Sequence, residues 1–426
     1  MAEGRSFEEK IYTDRAAYTE RELRDHTGKE QGERLKRGQM DVPFALITLI
    51  LLVIGVLMVF SASFARAYYI NNDPTKYFVR QLLFAVSGVA LMLGVSRAPV
   101  KLIRTAALPA LGAAAVLLVA VLVIGTGPLG VKRWINLGFT TFQPSEFAKM
   151  AVVLSFAHLI SNYRGKMRTF RYGVLPFAVI LGVIALLLIR EPHYSATIII
   201  LLLGALMMFA GGTHWAWFVV AILVGGAGAY ILVDYVKGVM AQGTEAVSHM
   251  NYALMRIVSW VDPFFNATDE GWQIIQSLYA VGSGGVTGLG LGQGRQKYLY
   301  LPEEHNDFIF SVVCEELGFI GATLIIILFA LLIIRGFWLA LHTRDRFGSL
   351  VITGMTGLLA IQVFFNIAVV TNLVPCTGVS LPFFSYGGTA LWIQLIEVGI
   401  ILSISRDIPL RQSGGDATKT GGGDEL

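Results

Sequence analysis

Ten apolar stretches dominate this chain, at roughly 43–65, 78–96, 103–124, 146–160, 173–190, 194–210, 215–234, 308–334, 348–371 and 389–404. A hydrocarbon core of about 30 Å is crossed by about 20 helical residues, and within lipid only a helix or a closed barrel satisfies its own backbone. Most of these runs meet that length without the alternating pattern of a barrel strand. Hydrophobic residues make up 55% of the 426 positions and charged residues 15%. The mean hydropathy is +0.64. That balance excludes a soluble globule of this size and predicts an all-α polytopic membrane protein with about ten transmembrane helices. The net charge of +4 is small. No basic, aromatic-interleaved face is present, so nucleic acid is not an expected partner. Cys314 and Cys376 are the two cysteines, too few for a disulfide framework or a cysteine-rich metal site. The opening MAEGRSFEEKIYTDR has no signal-peptide pattern, and the first membrane helix is expected to act as the targeting signal. Residues 1–41 and 409–426 read as polar cytoplasmic tails without stable structure, flanking a membrane domain at 42–408.

Lysine and arginine near the ends of membrane helices are retained on the cytoplasmic side. Arg34, Lys36 and Arg37 precede the first run; Arg97, Lys101 and Arg104 lie between the second and third; Arg164, Lys166, Arg168 and Arg171 lie between the fourth and fifth. Arg335, Arg344 and Arg346 follow the eighth run, and Arg406 and Arg411 follow the tenth. Ten spans place all of these on one side, with both termini cytoplasmic. Arg66, Lys76 and Arg80, after the first run, go against the trend without reversing it. The three longest connections, 125–145, 235–306 and 372–388, then share the outer face. The largest, between spans 7 and 8, holds NYALMRIVSWV and GWQIIQSLYAV, suited to helices at the membrane interface.

Three outer segments carry candidate chemistry. In LPEEHNDFIFSVVCEELGFIG, Pro302, Glu303 and Glu304 suggest a helix start, which would set Asp307, Ser311, Cys314 and Glu315 on one face. Acids in an apolar helix are expected to face a polar cavity or partner charges. Asp307 could equally be a structural ion-pair partner, and His305 a hydrogen-bonding residue. In GVKRWINLGFTTFQPSEFAK, Glu146 and Lys149 stand three apart and could simply pair on an exposed helix. Alternatively Arg133 and Lys149 form a cationic pocket for a pyrophosphate, with Trp134 against a lipid or sugar. Between Leu373 and Gly388, Pro375, Pro382, Gly387 and Gly388 interrupt apolar sequence and suggest a re-entrant loop lining a cavity. The glycine-rich Gly282–Gly294 follows no strand and fits no nucleotide motif, so it reads as a hinge or close-packed turn, and no nucleotide cofactor is expected.

KRWINLG with QPSEFAK, then PEEHNDFIFSVVCEELGFIG, then NLVPCTGVSLPFFSYGG occur in order. Together they resemble the signatures of the SEDS family (shape, elongation, division and sporulation) over about residues 40–408. FSAS at Phe60–Ser63, RQLLF and the long polar amino-terminal tail are more similar to its division branch, FtsW, than to its elongation branch, RodA. Asn306, Cys376 and the EPHYSAT segment depart from the family pattern, the last placing His193 and Tyr194 where an acidic EPD-type motif is usual. The resemblance implies a peptidoglycan glycosyltransferase, an inverting hexosyltransferase that polymerises lipid II at the outer face of the bacterial cytoplasmic membrane for septal wall synthesis. It implies Asp307 as catalytic base or metal ligand. Arg133, Trp134, Glu146, Lys149, His305, Ser385 and Gly387 become substrate-binding candidates. It leaves room for a divalent cation (Mg or Mn), and implies a class B penicillin-binding protein and other division proteins as partners. The competing readings are a transporter of the lipid-linked precursor, using Glu315, Glu316 and Glu397, and a non-catalytic scaffold.

Overall fold

A computed structural model describes residues 38–127, 131–138, 140–248, 250–267 and 270–408. The tail readings for 1–37 and 409–426 lie outside them. Helices α1 (Val42–Asn71), α2 (Lys76–Val95) and α3 (Val100–Ile124) lead into a hairpin of β1 (Ile135–Asn136) and β2 (Thr141–Phe142), with Ile135 opposite Phe142. Then follow α4 (Pro144–Tyr163), the short α5 (Phe170–Gly173), α6 (Leu175–Arg190), α7 (Tyr194–Ala210) and α8 (Ala216–Met240). The large connection carries α9 (Thr244–Ser248), α10 (Tyr252–Val261) and α11 (Glu270–Ser283). The chain closes with α12 (Ile309–His342), α13 (Arg346–Val370) and α14 (Gly388–Ser405).

Each apolar run has become a helix, and the fold is that of a polytopic α-helical membrane protein. Among the described residues, eight helical segments are long and apolar enough to cross a membrane. Two runs fall short of that measure: α7 has only 17 residues, and α4 begins with the charged Glu146 and Lys149. Helix α4 is instead enclosed by α3, α7 and α13, with 14 of its 20 residues buried. Helix α8 is the opposite case, exposing nearly its whole apolar surface, as a lipid-facing helix does. Gly38 N donates to Arg406 O at 3.0 Å and Asp41 N to Ser405 Oγ at 3.1 Å, so the two ends of the membrane domain meet. Asp41 also caps α1 through Phe44 N and pairs with Arg335. The last residues of the presumed amino-terminal tail are therefore pinned to the bundle.

The expected helix start at Pro302 is wrong. Residues 298–308 form turns, with Leu299 at φ 69° and Glu303 at φ 55°, and α12 begins at Ile309. Asp307 therefore does not share a helical face with Ser311 and Glu315. Helix α12 is itself broken at Gly318 (φ 66°, ψ −168°). The glycine-rich segment heals that break: Leu289 N and Gly290 N donate to the carbonyls of Glu315 and Glu316, while Phe319 N and Ile320 N donate to Gly285 and Val286. A Cβ on Gly288 (φ 81°) would sit 2.2 Å from Glu316 O, which is why the close-packed turn needs glycine there. Glu316 accepts from Lys297 Nζ at 2.6 Å and Ser61 Oγ at 2.6 Å; Glu315 accepts from Arg295 N at 2.8 Å. These two acids serve the fold.

Two outcomes are expected. Lys297→Met leaves Glu316 buried without its cation, and the detergent-solubilised protein should lose about 3–5 kcal/mol, much of it restored by adding Glu316→Gln. Thermal unfolding of the single and double variants checks this. Single cysteines at Lys132 and Arg344, in a background lacking Cys314 and Cys376, should be labelled from outside and inside the cell respectively; labelling from one side would overturn the orientation read from the basic residues.

Candidate active site

Asp307 ends the turns before α12 and is held by its backbone. Asn366 of α13, fully buried, donates from Nδ2 to Asp307 O at 2.8 Å and to Val379 O at 2.7 Å. The interrupted segment 374–387 folds over the same turns, as the expected re-entrant shape requires. Ser385 Oγ donates to Asn306 O and accepts from Leu381 N, both at 2.7 Å, and Tyr386 N donates to His305 O at 2.9 Å. Gln81 of α2 donates to Ser385 O and accepts from Gly387 N. Ser385 and Gly387 thus shape the loop, with their polar atoms engaged in the protein itself. Gly378, at φ 68°, lies so close that a Cβ there would be 3.0 Å from Asp307 Oδ2.

The neighbouring acid is tied down. Glu304 is fully buried and takes a bidentate pair from Arg66 at 2.7 and 3.0 Å. Burial opposes its ionisation, but the hydrogen bonds from His305 and Arg66 outweigh this and hold the carboxyl below the usual range. His305 stands 3.5 Å from Glu304, between the rings of Tyr77 and Tyr386. Asp307, by contrast, accepts no hydrogen bond from a described residue through its carboxylate. Desolvation and the negative charge of Glu303 push its pKa up to about 6, against the opposing pull of Arg256, Arg133 and His305.

Arg133 extends from the turn before β1, where Trp134 O accepts from Thr126 N and the Trp134 ring covers Gly127. Its guanidinium donates to Pro192 O, in the turn between α6 and α7. In that turn Glu191 and His193 are buried, with both Glu191 oxygens and His193 Nδ1 lacking a hydrogen-bond partner among the described residues. Burial raises Glu191 to about 8 although Arg133 opposes it. Burial and the charges of Arg133, Lys149 and Arg256 lower His193 to about 3, so His193 is neutral at physiological pH. Lys149 pairs with Glu146 at 2.7 Å, with side-chain exposures of only 3% and 10%. An exposed intrahelical pair is therefore excluded; this pair is desolvated inside the bundle.

The structure thus gathers Arg133, Lys149 and His305 around the Asp307–His193 region, and leaves Trp134 on its own hairpin. It adds Arg256, which the sequence reading passed over. The signal was a lone cation on the apolar helix α10, but no local pattern reveals what a helix in a 70-residue connection will face. Among the described residues no group of three or more His, Cys, Asp or Glu side chains is arranged to hold a metal ion. The site offers one available carboxylate beside fixed cations. It can accept a proton while stabilising an anionic leaving group.

Comparison with known proteins shows the family to which the chain belongs. The family model FtsW/RodA/SpoVE, described as cell cycle protein, matches residues 42–408. Stage V sporulation protein E of Bacillus subtilis is 40% identical over 373 residues, covering 87% of this chain and 98% of that protein. The probable peptidoglycan glycosyltransferase FtsW of Trichlorobacter lovleyi is 40% identical over 374 residues, covering 87% and 94%. Among solved structures, a chain from a peptidoglycan synthase complex that coordinates polymerization and crosslinking matches with TM-score 0.68 at 27% identity, covering 88% of this chain and 99% of that one. The rod shape determining protein RodA of Thermus thermophilus matches with TM-score 0.62 at 25% identity, covering 87% and 97%. Bundle, motifs and relatives coincide over the same residues, and the chain belongs to the FtsW/RodA/SpoVE family of cell cycle proteins, the SEDS family.

Proposed function

We propose that this protein is a peptidoglycan glycosyltransferase that polymerises lipid II, with Asp307 as its catalytic base. The observation that carries the reading is Asp307 itself, a carboxylate kept out of ion pairing while Glu146, Glu304 and Glu316 are each paired. In the reaction, the acceptor hydroxyl attacks the anomeric carbon of the donor sugar and passes its proton to Asp307. The bond from that carbon to the lipid pyrophosphate breaks, and the electron pair leaves with the pyrophosphate. One displacement inverts the anomeric centre. A pyrophosphate needs charge stabilisation more than protonation, which suits Arg133, Arg256 and Lys149. Were a divalent cation bound, Asp307 is the residue that would hold it, and the ion would supply charge stabilisation to the leaving group.

The basic-residue distribution supports a site on the outer side of the cytoplasmic membrane. The FtsW relatives support a role in septal wall synthesis, although the sporulation relative is equally similar. The match to a complex that coordinates polymerization and crosslinking supports a crosslinking partner, for which the resemblance implies a class B penicillin-binding protein. The transporter reading is weakened because Glu315 and Glu316 are engaged by backbone amides, Ser61 and Lys297.

The proposal is tested by glycan strands formed from lipid II by the purified protein with its transpeptidase, and by thermal stability. Asp307→Asn should lower the rate about 10²- to 10⁴-fold without lowering thermal stability; ordinary polymerisation would remove Asp307 from the chemistry. A base works deprotonated, so activity should rise with pH through about 6. Glu303→Gln removes a negative neighbour, lowers the Asp307 pKa and should move that limb to lower pH. Lys149→Met strands Glu146 and should destabilise by about 3–5 kcal/mol. The double variant Lys149→Met, Glu146→Gln should fold yet use lipid II poorly; normal use would make the pair purely structural.

A further inference from the structure

At the opposite end of α3, α4 and α12 from Asp307, two cavities of about 350 Å³ and 230 Å³ lie side by side, sharing Arg164 and Arg346. Helix α4 alone separates this place from the active site by about 30 Å, 20 residues at 1.5 Å each. Arg104 and Arg344 complete the cationic lining of the larger cavity, and Arg168 adds a fifth arginine from the smaller one. The single acid in either lining is Asp345. It is already bound to Arg104 at 2.9 Å and to the amide of Gly348 as the cap of α13. Arg346 donates to Gly211 O at 3.1 Å, which turns its guanidinium across the boundary between the cavities. Nε of Arg104 is buried with no hydrogen-bond partner. The larger volume lies within the usual range for ligand cavities, about 300–1,000 Å³.

Five arginines against one committed carboxylate leave an excess of positive charge that an anion would neutralise. Arginine's planar fork favours phosphate oxygens in particular. The surroundings indicate where that phosphate comes from. Leu102, Phe170, Phe209 and Leu341, close in sequence to the basic rim, are 58%, 52%, 64% and 84% exposed. Acyl chains could lie along these side chains while a headgroup enters the cavities. A soluble phosphate would need no such apolar border. We propose that this is a binding site for a lipid headgroup carrying two phosphates, one for each cavity, in the cytoplasmic leaflet. Such a lipid would tie the carboxy-terminal end of α4 to the start of α13, where arginines otherwise repel one another. Basic pockets between membrane helices on this side bind diphosphate lipids such as cardiolipin by the same chemistry.

The test uses the full-length protein in phosphatidylcholine nanodiscs containing cardiolipin, phosphatidylglycerol or neither, with native mass spectrometry to count retained lipid and thermal unfolding to read protection. Wild type should retain one cardiolipin and unfold at a higher temperature with it than with phosphatidylglycerol at equal phosphate. Arg344→Gln and Arg168→Gln are suitable variants, because neither side chain makes a hydrogen bond to a described residue and folding is not at stake. Each should weaken cardiolipin retention about tenfold and reduce the protection, while unfolding in pure phosphatidylcholine stays as in wild type. Unchanged retention in both variants would overturn the site. Equal protection by phosphatidylglycerol would overturn the two-phosphate headgroup, and equal protection by inorganic pyrophosphate would overturn the lipid.

Discussion

An ion taken out of water must find a partner at once, and this constraint governs how the bundle is assembled. Removing one member of a buried pair costs about 3–5 kcal/mol, a large fraction of the stability of a typical domain. The buried ion pairs that link different elements are accordingly points of attachment. Lys297 and Glu316 join the outer connection to α12, and Ser61 brings in α1. Arg66 and Glu304 join α1 to the turns before α12; Asp41 and Arg335 join α1 to the far end of α12. Apolar packing between helices in lipid is weakly directional, so these pairs fix which helices meet and at what height.

The apolar runs were legible because a membrane helix is declared by its own composition, and α1 to α4, α6 to α8 and α12 to α14 fall where those runs lie. The acids were harder. Glu315 and Glu316 looked like site residues because a carboxylate in an apolar run is expensive, which is equally true when it is structural. What decides between the two is the partner: Ser61 lies 255 residues away in sequence, and the others lie 19 to 24 residues away, in or just after a glycine-rich segment whose own pattern suggested only a turn. The false helix start has a similar origin. Pro302 and the two glutamates satisfy local rules for a helix, but Glu303 sits at positive φ and Glu304 is drawn to Arg66, so tertiary contacts override the local preference.

Which candidate residues gather together was legible in part for the converse reason. Asp307, Arg133, Lys149 and His305 belong to long motifs, each continuous in sequence. Arg256, Asn366 and Gly378 act only after the chain has folded: Asn366 by reaching two carbonyls, Gly378 by leaving room beside Asp307, Arg256 by charge. Arg256 and Asn366 carry no local signature, and Gly378 lies within NLVPCTGVSLPFFSYGG without that motif revealing its task, because what all three supply is a position relative to a residue at least 50 positions away.

A base flanked by cations should be a weak base, since positive charge stabilises its deprotonated form. With Asp307 as the proposed base, its surroundings moderate this conflict. Asp307 is desolvated and shares its surroundings with Glu303, and these two effects more than cancel the pull of Arg133, Arg256 and His305. His193 stays neutral among the same cations, so it leaves their charge available. When a pyrophosphate binds, its negative charge occupies the cations and their depression of Asp307 weakens. The carboxylate then becomes more basic at the stage when a hydroxyl proton has to be accepted, and the leaving group has its counter-charges already in place. Charge that would impair the base in the free protein therefore assists the reaction once substrate is present.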